Sequence, residues 1–449
     1  IGQPIVLRLV TTLPAFRIDE TTRLFGGSFR LDETTRPALA LLYLSAAFWF
    51  GGAFAARSHR LFVPLGLAVA GLMTAALGAQ DAATAALLFE LVALLFVPLL
   101  SSPGRKMRRG VLRFLVYQTI GVCLILFAEA LLGLMSTAGG DTPQQADAFL
   151  ALLLGFAMLL AVVPFHSWMP MLAEQGNPFQ ALFAFFVIPG AAGFLAFETL
   201  LRYSATSLAP AMLLVFQYGG VLMVLVGGLG AAFERHLGRI AGFAALSQVG
   251  MTLLAVSLND QAGRSSPVVG IYFAQLLPQA ISLAVWGVAL SAINRELEGL
   301  QFRVTAGAAR RMPFAAAALV LANLSVAGVP LLAGFPVYVA LWAQLVSRSL
   351  PVTLLSLAGN LGLMVAALRT LTVLALKPEP ASGAPDAAAP GSPTPDGPAA
   401  PADWKPGETR LQMLLLGAGM ALLLLAGLLP QAYFPTLTSM AIQFAGAGP

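Results

Sequence analysis

The sequence predicts an all-α polytopic membrane protein of about twelve transmembrane helices, preceded by a short β-hairpin. Three observations carry that expectation. Only 10% of the 449 residues are charged and 58% are hydrophobic, against roughly 25% charged in an ordinary soluble domain. Apolar runs of about 18 residues or more, long enough to cross a bilayer, recur along most of the chain. Proline and glycine interrupt two of those runs in mid-course, at Pro189-Gly190 and again at 328–336.

The elements follow in order. Residues 1–36 hold a near-repeat, FRIDETTR at 16–23 and FRLDETTR at 29–36, on either side of LFGGS. Two alternating segments around Gly26-Gly27 read as a hairpin that caps helix ends. The apolar spans then run over 37–56, 61–80, 82–102, 111–137, 147–165, 178–202, 208–233, 239–258, 267–293, 313–347, 351–376 and 411–430. The span 178–202 contains Pro189 and Gly190, and the span 313–347 contains Pro330, Gly334 and Pro336, so both are expected to be broken helices. A proline removes a backbone donor, and freed carbonyls at membrane depth must be satisfied by protein or by a wet cavity. Residues 377–410 are rich in proline, alanine and glycine and read as a disordered cytoplasmic linker. The stretch 411–449 reads as a final helix and tail. The chain starts at Ile1 rather than Met, so an upstream segment is expected.

Basic residues orient the spans. With the hairpin outside, sixteen arginines and lysines fall in inner loops and three (Arg202, Arg264, Arg348) in outer interhelical loops. Five more arginines lie in or beside the hairpin, against the trend. The expectation is an inner (cytoplasmic) membrane protein of a prokaryote, with hairpin and C-terminus outside.

Several functions are excluded on composition. The single cysteine, Cys123, lies in an apolar run and rules out a disulfide framework or a cysteine-rich metal site. His59, His166 and His236 are far apart, so no metal is expected. No phosphate-binding loop, dinucleotide fingerprint or nucleophile elbow occurs. The chain is therefore expected to bind no nucleotide, nucleic acid or cofactor and to carry no catalytic residue of its own. Its expected surroundings are lipid and other membrane subunits.

Charge inside a membrane costs about 2.5–3.5 kcal/mol per group at a helix centre on insertion scales. Glu90, in ALLFELVALLF, has no ionic partner at three or four residues' distance. It reads either as a proton-relay carboxyl or as a protonated acid bonded to a neighbouring helix. Glu129 and Glu198 read as structural, the latter with Arg202 one turn on. Arg369 either snorkels or partners a buried carboxylate. His166 either shuttles protons or anchors its loop, and Trp168 beside it fits an interfacial aromatic.

Six stretches, in one order, resemble the antiporter-like subunits of respiratory complex I and of Mrp-type cation/proton antiporters. VVPFHSWMP (162–170) resembles that family's V-P-[LF]-H-x-W-[LM]-P junction. FRLDETTRPALALL (29–42) resembles the hairpin strand leading into a helix. LLFELVALLFVPLL (87–100) resembles the helix carrying the family glutamate, at Glu90. GRIAGFAALSQVGMTLLAV (238–256), with Arg239 and Gln248, resembles K-R-L-L-A-Y-S-S-I-S-Q-x-G-Y. LSVAGVPLLAGFPVYVALW (324–342) and LLLLAGLLPQAYF (422–434) resemble the second broken helix and the final helix. The resemblance implies helices three to fourteen of a fourteen-helix fold, the first two missing, built as two inverted five-helix repeats with one broken helix each.

The departures matter most. The family's membrane lysine five residues before the junction proline corresponds to Leu159 here. Its other lysine positions correspond to Pro189, to Gln279 (with Gln275 in a histidine place), to Tyr338 and to Gly238. The chain's three lysines, Lys106, Lys377 and Lys405, all lie in loops. A buried lysine exchanges protons because desolvation lowers its pKa toward neutrality. Leucine, proline and glutamine have no such proton, and burial moves tyrosine the wrong way. The resemblance therefore implies a scaffold whose usual proton relay is interrupted, leaving Glu90, His166, Arg369, Arg239 and Gln248 as candidates for any remaining path. Three roles stay open: a structural membrane-arm subunit of a complex I-like quinone oxidoreductase, an active proton or sodium carrier, or the membrane partner of a hydrogenase or inorganic-carbon uptake complex.

Overall fold

The computed structural model describes residues 5–7, 16–18, 21–24, 27–30, 36–101, 107–135, 143–202, 209–258, 267–376, 407–433 and 435. Four short strands come first. β1 (Ile5–Leu7) pairs antiparallel with β2 (Phe16–Ile18), and β3 (Thr21–Leu24) with β4 (Gly27–Arg30). Phe29 of β4 also bridges to Ala79, and the Ser28 carbonyl accepts from the Gln80 amide at 2.9 Å. These contacts pin the β3–β4 pair to one end of the helical bundle.

The helices are α1 (Arg36–Ala55), α2 (Phe62–Gly78), α3 (Ala82–Leu100), α4 (Arg109–Met135), α5 (Pro143–Leu159), α6 (Trp168–Gln175), α7 (Pro178–Arg202) and α8 (Ala209–Phe233). They continue as α9 (Leu237–Ser257), α10 (Pro267–Leu297), the short α11 (Phe302–Thr305), α12 (Pro313–Val326), α13 (Gly334–Arg348), α14 (Leu350–Ala375) and α15 (Arg410–Leu428). Among the described residues, nine helices are long and apolar enough to cross a membrane. The other three expected spans take shorter or broken forms: α2, α5, and the pair α12 and α13.

Burial orders the bundle from inside out. The spans in α9 and α10 are 94% and 89% buried, that in α7 78%, and that in α15 only 22%. A helix hydrophobic on every side belongs inside, and α9 and α10 are the axle around which the others pack. Small residues set the closest approaches, as expected where lipid removes the hydrophobic drive for helix pairing. Gly228 of α8, for instance, lies against Gly359 and Gly362 of α14.

The first break is not where the sequence suggested. α7 runs without interruption through Pro189 and Gly190. One proline removes one donor, and a membrane helix absorbs that loss by local adjustment. The interruption falls instead after Leu159, within the span expected at 147–165. Ala161 has φ +56°, outside the right-handed helical region. Pro164 and a 3-10 turn over Phe165–Ser167 then lead into α6. The second break is where Pro330 stands, between α12 and α13. Gly328 and Leu331 have φ +74° and +73°. Gly334 is the first residue of α13 and Pro336 lies in its first turn.

Candidate functional site

Glu90 sits at the middle of α3, whose start is fixed by Asp81 accepting from the Thr84 amide at 2.6 Å. Its Oε1 accepts a hydrogen bond from the Thr119 hydroxyl of α4 at 2.6 Å. Oε2 is buried without a protein partner, as are both amide atoms of Gln118, which is 0% exposed. The partner of the intramembrane carboxyl is thus a neutral hydroxyl.

Two residues further along α4, Gly121 receives Leu159, and a Cβ at Gly121 would stand 2.8 Å from a Leu159 methyl. Leu159 is fully buried at the end of α5. An apolar plug therefore occupies the position where the resemblance expects an amine. Just beyond it, His166 is half-buried in the 3-10 turn, with Nδ1 lacking a protein partner. Trp168 faces protein and not lipid: it is fully buried, its ring 5.1 Å from Phe114 and 5.8 Å from Phe185.

A second polar group lies between α9 and α10. The Thr252 hydroxyl donates to the Gln248 carbonyl (3.0 Å) or to Gln275 Oε1 (3.3 Å), and it accepts from Gln279 Nε2 at 3.0 Å. Gln248 Oε1, Gln275 Nε2 and the Tyr272 hydroxyl are buried without protein partners around it. One turn beyond Gln279, Ser282 donates to Ser325 of α12 at 2.9 Å. Ser325 in turn accepts from the Gly334 amide at the second break, at 3.3 Å. Tyr338 is buried below that break, 6.0 Å from the Trp342 ring. Tyr272, Gln275, Gln279 and Ser282 recur at three- and four-residue spacing, so they form one stripe on α10. The stripe holds no side chain that is charged at neutral pH.

The candidate arginines belong elsewhere. Arg369 donates to the Ala232 carbonyl in the last turn of α8 and lies 5.6 Å over the Phe302 ring. It is a cap on a helix C-terminus, where a cation meets the negative end of the dipole. Arg239 pairs with Glu234 at 2.6 Å and more loosely with Glu174 at 3.7 Å. His236 caps α9 by accepting the Arg239 amide on Nδ1 at 3.4 Å. Burial holds the His236 imidazole below its ordinary range; Glu174 and Glu234 oppose that shift, and Arg239 adds to it. Glu174 and His236 line a cavity of about 600 Å³ at this end of the bundle, with Arg108, Gln180, Asn294 and Arg303. No hydrogen bond or ion pair among the described residues joins one of the five candidate path residues to another. Glu90 and Gln248 lie within helices of the bundle, His166 lies at the first break, Arg369 reaches the end of α8 and Arg239 is held in ion pairs at the start of α9.

Sequence reasoning missed Thr119, Thr252, Ser282 and Ser325, because serine and threonine are unremarkable in membrane helices. The spacing of the α10 stripe was the available signal. It also missed Glu408, inside the stretch expected as linker, whose carboxylate accepts from the Ala315 and Phe314 amides at 2.6 and 3.4 Å.

Broken helices, a buried polar stripe and an intramembrane carboxyl together define a transport-type membrane scaffold. The chain belongs to the family described as NADH:quinone oxidoreductase/Mrp antiporter, TM, which matches residues 79–363, more than half its length. It is 28% identical over 363 residues to NADH-quinone oxidoreductase subunit N of Cereibacter sphaeroides, covering 79% of this chain and 73% of that one. To the subunit N of Heliobacterium modesticaldum it is 27% identical over 313 residues, covering 66% and 64%. The chain thus spans a little under two thirds of that relative's length. Among solved structures, a chain of the Mrp complex from Dietzia sp. superposes with TM-score 0.73 at 20% identity, covering 98% of this chain and 87% of that one. A chain of Thermus thermophilus respiratory complex I with bound aureothin gives TM-score 0.68 at 21% identity, covering 93% and 88%. At such identities these likenesses show the fold alone.

Proposed function

We propose that this protein is an antiporter-like, membrane-arm subunit of a complex I-like quinone oxidoreductase assembly in a prokaryotic inner membrane, and that its proton path is interrupted. The observation that carries this reading is the partner of Glu90, a threonine hydroxyl and not an amine, together with a buried leucine on another face of α4, seated on Gly121, at the position where the resemblance expects a lysine. A carboxyl cannot pass its proton to a methyl group, and a hydroxyl lacks the tunable basicity of a buried amine. The bland role is to fill a place in the assembly and exclude lipid from its neighbours. The two breaks, one after α5 and one after α12, support an architecture of two inverted five-helix units. The distribution of basic loops supports placing the hairpin and the C-terminus outside.

A second reading, an active proton carrier, draws support from one observation: the Thr252 hydroxyl stands within hydrogen-bond distance of both Gln275 and Gln279. The test separates the two. The assembled complex carrying Gln279→Leu with Thr252→Val is reconstituted in proteoliposomes and its proton uptake followed. Uptake equal to the parent supports the interrupted path, and a large loss supports the carrier.

A further inference from the structure

The helix α15 is the least buried of the spans, and its few inward residues, Gln412, Leu416, Gly419 and Leu423, form a narrow seam. In lipid such a seam gains little from apolar burial, so close packing and hydrogen bonds decide whether a helix stays docked. The hydrogen bonds gather at the start of α15, and the close packing lies further along it, at Gly419 and Gly427.

At its start, Glu408 is 5% exposed and its carboxylate covers the open N-terminus of α12, accepting from Ala315 at 2.6 Å and Phe314 at 3.4 Å. The Gly407 amide donates to the Arg311 carbonyl at 3.2 Å. Thr409 and Gln412 form a capping box for α15 itself. The Gln412 side-chain amide, also buried, then donates to the Ala55 carbonyl at the end of α1, at 3.0 Å. Orphan backbone groups of two other helices are thereby satisfied from α15. Near the other end, a Cβ at Gly427 would stand 2.3 Å from the Leu331 carbonyl oxygen. Leu331 is in the non-helical stretch between α12 and α13. That stretch begins about 20 Å along α12 from the Glu408 contact, well inside a hydrocarbon layer of about 30 Å. Irregular backbone at such depth persists only where protein covers it.

We propose that α15 is a separately docked cover for the α12–α13 break, latched at its start by a clasp of Glu408 and Gln412. The seat it occupies fits a membrane helix that presents a carboxylate at its entry and small residues where it crosses α10 and the break. Gly419 meets Val285 of α10 so closely that an added Cβ would lie 2.6 Å from a valine methyl. The proposal does not depend on whether protons move through the chain.

Disulfide trapping in the full-length protein tests it. In a Cys123→Ser background, Gly419→Cys with Val285→Cys reports the seam, the added Cβ standing 3.7 Å from that of Val285. Gly121→Cys with Leu159→Cys reports the integrity of the distant bundle. The expected result is efficient cross-linking of both pairs in membranes. Adding Glu408→Ala with Gln412→Ala should lower the seam pair several-fold and leave the distant pair intact. Gly427→Leu, which has no room against the Leu331 carbonyl, should likewise lower the seam pair alone. Glu408→Gln alone should keep the cross-link, because its amide oxygen still accepts from Ala315. An unchanged seam yield in the double variant would overturn the clasp, and an unchanged seam yield with Gly427→Leu would overturn the cover. If the double variant loses the distant pair as well, Glu408→Ala against Glu408→Gln decides, and equal yields in those two would also overturn the clasp.

Discussion

The Thr119 hydroxyl donates to Glu90 Oε1 across the α3–α4 contact at 2.6 Å. That bond is the only hydrogen bond given to the Glu90 carboxyl among the described residues. Replacing Thr119 by valine keeps the shape and leaves Oε1 bare, which costs about 1–3 kcal/mol for a buried polar group stripped of its partner. Unfolding in detergent by denaturant measures it. Glu90→Leu combined with Thr119→Val should recover much of the loss, since removing both partners is close to neutral. A Thr119→Val protein as stable as the parent would mean the bond is not made.

Leu159 and Gly121 make a mutual fit, with 2.8 Å left for any added Cβ. Gly121→Ala should destabilise by about 1–3 kcal/mol through overpacking. Leu159→Ala in the same chain should relieve part of that, giving a clear coupling in a double-mutant cycle. Additive effects would show that Leu159 does not plug the α4 surface.

Arg369 closes the C-terminus of α8 and lies over Phe302. Arg369→Ala should lower stability by about 1–2 kcal/mol while leaving proton uptake by the assembled complex unchanged. A selective loss of uptake with normal stability would place Arg369 on a path instead of at a cap.

His236 is held below its ordinary pKa chiefly by burial. The unfolded chain then takes up the proton first as pH falls, so the contribution of His236 is fully present above the unfolded value of about 6.5 and is lost below it, down through the folded value. Thermal stability in detergent should therefore drop between pH 7.5 and pH 5.5. His236→Asn, a good cap that does not titrate there, should flatten that slope. An unchanged slope in the variant would assign it to other groups.

The spans were legible because hydropathy and length suffice for them, and the second break because Gly328, Pro330 and Gly334 crowd into seven residues. The first break was misplaced. Pro189 is conspicuous in sequence yet costs α7 one donor, whereas the departure at Ala161 is made by a residue with no turn preference of its own. Leu159, Gln279 and Tyr338 could be named from the resemblance alone. Their surroundings could not, because Thr119 reaches Glu90 from 29 residues away and Arg369 reaches Ala232 from 137. Gly407–Thr409 read as the end of a proline-rich linker. Only the packing of α12 and α1 against them reveals a docked segment.

The central claim is that no proton relay of the usual kind runs through Glu90. The direct measurement is the number of protons translocated per electron pair by the reconstituted complex, parent against Glu90→Gln. The account predicts the same ratio in both. A clearly lower ratio in the variant, with assembly and electron transfer intact, would contradict it.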